Sequence, residues 1–155
     1  MKLKILLLIT VSSFLFSCNQ DDKASDDRMA HYLQPAHPHK EHIVELSLNN
    51  GAKWQTDENT RTHVVKLSSI LDLFSKKNAD DIASYKLLAD DLLKELNGLI
   101  ADCKMQGPEH EALHTWLEPV LKEVSNLKKI TSADQGKDCA EELANKFREF
   151  NKYFI

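Results

Sequence analysis

From about residue 59 to the end of the chain, apolar side chains recur every three or four positions in four successive runs. That is the repeat of helices that each bury one face. The first run spans about Asn59 or Thr60 to Phe74, with His63, Leu67, Ile70 and Phe74 on one stripe. The second follows a cap at Asp80 or Asp81 and aligns Ile82, Tyr85, Leu88, Leu92, Leu96, Leu99 and Cys103. Pro108 opens the third, which carries His110 or Leu113, then Leu117, Val120, Val124 and Leu127. The fourth begins near Ser132 and reaches the C-terminus through Leu143, Phe147, Phe150 and Phe154. Connections are short, and only Gly107 and Gly136 interrupt the pattern. Short connections force neighbours to run antiparallel, so the expected fold is all-α, an up-down-up-down four-helix bundle.

The pattern changes upstream. Between Ile43 and Trp54, Val44, Leu46 and Leu48 alternate with polar residues, and Asn49-Asn50-Gly51 is a turn signal. This predicts a short extended segment laid against the bundle, with Trp54 as a plug. From Asn19 to about Asp27 the chain is polar and acidic, a composition that buries nothing and reads as a tether. His31, His37, His39 and His42 crowd the stretch that follows. They would either collect metal ions loosely or simply line a linker kept extended by Pro35 and Pro38.

The first residues have the form of an export signal. Lys2 and Lys4 supply positive charge, and Ile5 to Phe16 is an apolar run too short for a comfortable membrane span. The run ends Leu15-Phe16-Ser17-Cys18, which resembles the lipobox of bacterial lipoproteins, although Phe16 is bulkier than usual there. That resemblance implies cleavage before Cys18, lipidation of its thiol and attachment to the outer membrane, facing the periplasm or the surface. An ordinary secretory signal with a chance cysteine is the alternative, and it too would take the chain out of the cytoplasm. The expected division is 1–17 signal peptide, 18–42 flexible tether, and 43–155 extended segment plus bundle.

Charge narrows the partners. A chain starting at Cys18 keeps all 24 acidic residues but 18 of the 20 basic ones, a net charge of −6. Nucleic acid is a poor partner for such a surface.

Candidate chemistry is concentrated in Cys103-Lys-Met-Gln-Gly-Pro-Glu-His-Glu-Ala-Leu-His114. A thiol (Cys103), a thioether (Met105) and two imidazoles (His110 and His114) occur together, and His110 and His114 at i and i+4 share one helix face. Bundle topology puts the start of the first helix, the end of the second, the start of the third and the end of the fourth at one end. His63, Cys103, Met105, His110 and His114 then converge, as ligands do in bundle cofactor sites. The same topology places Cys139 at the opposite end, about 30 Å from Cys103 for helices of some twenty residues. A disulfide needs Cα atoms about 4.4–6.8 Å apart, so none is expected and Cys139 reads as a small core residue.

Sulfur and imidazole together suit copper, especially Cu(I). Zinc and haem are the alternative cofactors. His110-Glu111-Ala112-Leu113-His114 fits the H-E-x-x-H zinc hydrolase pattern, but Glu109 is charged and no third-ligand helix follows. Haem would need Met105 with a histidine and a large apolar pocket, and no C-x-x-C-H attachment motif is present. Residues 103–117 also resemble a family of bacterial lipoproteins carrying C-x-M-x-G-x-x-H-[DE]-x-L-H-x-W-L, a likeness that implies no assigned activity. The expected function is metal binding without catalysis by a lipid-anchored envelope protein. The alternative is a module that binds another envelope protein through Trp54, Trp116 and the aromatic end of the fourth helix.

Overall fold

The computed structural model describes residues 45–77 and 80–155. The signal peptide, Cys18, the histidines at 31, 37, 39 and 42, Ile43 and Val44 lie outside the described residues. Four helices follow a short extended segment: α1 Glu58–Ser75, α2 Ile82–Asp102, α3 Pro108–Lys128 and α4 Ala133–Tyr153.

Side chains chosen for helix starts set these boundaries. Asp57 caps α1 by accepting from Thr60 N, Asp81 caps α2 by accepting from Ser84 N, and Ser132 caps α4 by accepting from Gln135 N. α3 starts differently, with Gly107 at φ 68° handing over to Pro108, whose missing N–H costs nothing in a first turn. Pro119 lies inside α3 and removes one ladder donor, on a face turned to solvent.

α1 packs on α2, α2 on α3, α3 on α4 and α4 back on α1, with α2 also touching α4. The protein is a four-helix bundle. Its centre is Leu67, Leu92, Leu96, Val120, Val124, Leu127 and Leu143, all with no exposed surface. The α1 stripe is turned slightly from expectation: Val64 and Leu71 are buried, while Ile70 and Phe74 are half-buried. In α3 it is Leu113 that enters the core, and His110 stays half-buried.

Cross-helix contacts fix which ends meet. Phe74 at the end of α1 packs on Tyr85 at the start of α2, with ring centroids 5.1 Å apart. Trp116 in α3 lies 4.9 Å from Phe150 at the end of α4 and donates its indole N–H to Lys146 O at 2.9 Å. The extended segment closes the second end. Trp54 N donates to Tyr153 O at 2.8 Å and Ile155 N to Trp54 O at 3.0 Å, a single parallel bridge. Trp116, Phe147, Phe150 and Phe154 are core residues, 2–3 % exposed. They are therefore corrected from contact residues to packing residues, because large rings at core-facing positions serve the bundle first.

Candidate functional site

α2 stops at Asp102, and Cys103 takes an extended conformation, φ −62° and ψ 127°. This break decides where the sulfurs point. On a continuing helix Cys103 and Met105 would lie about 200° apart. In an extended stretch residues two apart share a side. Burial follows that alternation: Cys103 and Met105 are half-buried and pack against the core, while Lys104 and Gln106 are exposed.

The first turns of α1 hold this loop. Asp57 Oδ2 accepts from Lys104 N at 2.7 Å, and Asn59 Nδ2 donates to Asp102 O at 3.1 Å. Thr60, fully buried, donates its hydroxyl to Met105 Sδ at 3.7 Å. Burial works to raise the Asp57 pKa, yet the hydrogen bonds from Lys104 and Thr60 and the Arg61 charge together hold its carboxyl below the usual value.

Cys103, His110 and His114 do come together, in series. Cys103 Sγ lies 3.7 Å from His110 Nδ1, and His110 Nε2 lies 2.8 Å from His114 Nε2. His110 thus presents one ring nitrogen to the thiol and the other to the second imidazole. Desolvation, then the neighbouring His110, lowers the His114 pKa, while Glu111 and Glu118 oppose this. His114 is accordingly neutral at pH 7, the form that accepts a hydrogen bond or a metal.

Distances sort the pairs. A tetrahedral ion with bonds of about 2.3 Å to sulfur and 2.05 Å to nitrogen holds S and N about 3.6 Å apart, and two nitrogens about 3.3 Å apart. The Cys103–His110 pair already has the first spacing. The His110–His114 pair is a hydrogen bond, and its rings would have to part by about half an ångström to share an ion. Among the described residues no group of three or more His, Cys, Asp or Glu side chains is arranged to hold a metal ion.

His63 stands apart from this arrangement. Its Nδ1 meets Glu95 Oε1 at 2.6 Å and its Nε2 meets Asp102 Oδ2 at 3.1 Å, so both ring nitrogens already have carboxylate partners. Gly98 makes room for the ring, since a Cβ there would sit 2.9 Å from His63 Cε1. His63 is a buried clasp between α1 and α2, and as a ligand it would have to give up one of these bonds. Its partners Glu95 and Asp102, and the loop-holding Asp57, Asn59 and Thr60, were not singled out by sequence. One signal was available: Asp102 ends a helix, where the macrodipole disfavours an anion unless a cationic or donor partner is near.

Cys139 is free, as is Cys103. It lies beside Glu123 at the other end of the bundle, and burial together with that carboxylate pushes its thiol up to about 12.

No family model, no curated protein and no solved structure matches this chain. The fold and the loop geometry define a four-helix bundle with a thiol–imidazole pair at one end.

Proposed function

We propose that this chain is a lipid-anchored envelope protein that binds a transition metal ion, copper in preference to zinc, at the Cys103–His110 end of the bundle. The observation that carries this is the 3.7 Å separation of Cys103 Sγ and His110 Nδ1, close to the spacing two ligands of one ion require. His114 then serves His110 from behind: a ligating imidazole is oriented by the partner of its other ring nitrogen. The thiolate and imidazole pair is the donor set that soft and borderline ions select. Nothing in this arrangement calls for a reaction, and no catalytic residue is assigned. Haem gains no support from this arrangement. An H-E-x-x-H hydrolase would hold its ion between the Nε2 atoms of His110 and His114, which here hydrogen-bond to each other, and would need a third ligand. Among the described residues no group of three or more His, Cys, Asp or Glu side chains is arranged to hold an ion.

The test is thermal. An ion that binds only the folded chain, at about a hundred times its dissociation constant, adds roughly 2.7 kcal/mol of stability. For a domain of this size that is on the order of ten degrees in melting temperature. With protein purified without a polyhistidine tag, Cys103→Ser and His110→Ala should each remove most of the shift. His114→Ala should weaken binding about tenfold or more, as loss of an orienting partner does. His37→Ala with His39→Ala should leave the shift in place; if it removes the whole effect, the bundle-end site is wrong.

A second reading is an interaction module for another envelope protein. Its contacts would be Val65, Leu73 and Leu87, which are 59–66 % exposed, rather than the buried tryptophan and phenylalanines.

A further inference from the structure

Two ligands do not complete a site; His114 is hydrogen-bonded to the far nitrogen of His110, and among the described residues no group of three or more His, Cys, Asp or Glu side chains is arranged to hold an ion. Met105 is of another ligand type. It follows Cys103 by two residues in a non-helical stretch, on the same half-buried side, against the same core. Its sulfur is not left to wander, because the Thr60 hydroxyl, wholly buried in α1, donates to it. A thioether sulfur has two lone pairs. Thr60 engages one and leaves the other, which fixes the rotamer of a side chain that is otherwise among the most flexible in a protein.

We infer that Met105 is the third ligand, that Thr60 is its positioning residue, and that the ion the site selects is therefore monovalent copper rather than zinc. This rests on the Cys103–His110 site proposed above. Two sulfurs and one imidazole are a donor set for Cu(I), a soft ion content with three ligands. Zn(II) takes thioethers poorly and seeks four harder partners. The hydroxyl of Thr60 stands to the Met105 sulfur as a hydrogen-bond partner stands to a ligating histidine, orienting the donor atom from behind.

The experiment compares two ions on the parent chain and a set of its variants. Affinities for Cu(I), by competition with a chromophoric Cu(I) chelator, and for Zn(II) are measured on the full chain and on its Met105→Leu, Thr60→Val and Cys103→Ser variants. Met105→Leu should weaken Cu(I) binding about tenfold or more and leave Zn(II) within about twofold. Thr60→Val, which keeps the shape and removes the donor, should show the same one-sided loss in smaller degree. X-ray absorption at the copper edge should report two sulfur scatterers in the parent chain and one in Met105→Leu. Unchanged Cu(I) affinity and sulfur count in Met105→Leu would overturn the assignment. So would equal losses for both ions, which would mark Met105 as a packing residue only. If Cys103→Ser binds both ions as the parent does, it is the underlying site that fails, and that result is separate from the fate of Met105. Removal of His37, His39 and His42 completes the set. If it weakens Cu(I) binding while Met105→Leu does not, the third ligand is one of those imidazoles and the inference is overturned.

Discussion

Cys103 and Cys139 are the same residue in opposite settings. Cys139 faces Glu123 from a half-buried position in α4, and its thiol is pushed up to about 12. At pH 8 almost none of it is thiolate, and the thiolate is the form that reacts. Iodoacetamide at pH 8 should therefore modify Cys103 in the folded protein and spare Cys139, with both labelled once the chain is unfolded. Equal labelling rates in the native state would mean that the Cys139 end of the bundle opens readily. That Cys139 is a packing residue and not a disulfide partner was legible in the sequence, because the heptad-like stripes place the two cysteines at opposite ends. The carboxylate beside it was not legible, since Glu123 comes from another helix.

At the level of the helix, Gly136 shows what packing does to propensity. It lies in the first turns of α4 with the Tyr85 ring of α2 pressed against it, closer than any Cβ would tolerate. Replacing a helical glycine by alanine gains about 1 kcal/mol in an exposed position. Here Tyr85 is 4 % exposed and backed by Phe74, so the ring has nowhere to retreat. Overpacking of this kind costs about 1–3 kcal/mol and should outweigh the gain. Gly136→Ala is expected to lower the urea midpoint; a rise would show that α4 and α2 do not approach closely there. The four runs, the Asp81 and Ser132 caps and the Pro108 start all follow from local sequence, because a helix repeats every 3.6 residues and its ends need donors satisfied. Gly136 gave only the sign of an interruption; the reason for it lies in α2.

Across the whole molecule, both ends of the described chain meet at the site end of the bundle. Residues 54–56 pair with the last three, with Thr56 N donating to Ile155 O at 3.0 Å. Residue 45, where the description begins, therefore belongs to a segment folded onto the same end as Cys103 and His110. If the preceding residues are a tether from Cys18, the proposed metal site is carried close to its root. Expressed in a bacterial host, Cys18→Ser should leave an uncleaved precursor or release the protein from the membrane fraction. Mass spectrometry of the parent chain should find Cys18 as an acylated N-terminus. An unmodified N-terminus at another residue would remove the lipoprotein reading without touching the bundle.

Sequence by itself determined the bundle, its helix order, the end at which the candidate ligands gather and the separation of the two cysteines. All of these follow from periodicity, caps and short connections, which act within a few residues of each other. Tertiary structure decided what each candidate side chain faces. His63 and Glu95 are 32 residues apart, His63 and Asp102 are 39, and Thr60 and Met105 are 45. No spacing rule reaches across those intervals. Nor does spacing say which nitrogen of His110 turns to Cys103 and which to His114, because that depends on ring rotation inside a packed cluster. The placement of Cys103 and Met105 on one side was likewise a matter of where α2 lets go of its helix, and the N-terminal turns of α1 hold the chain there.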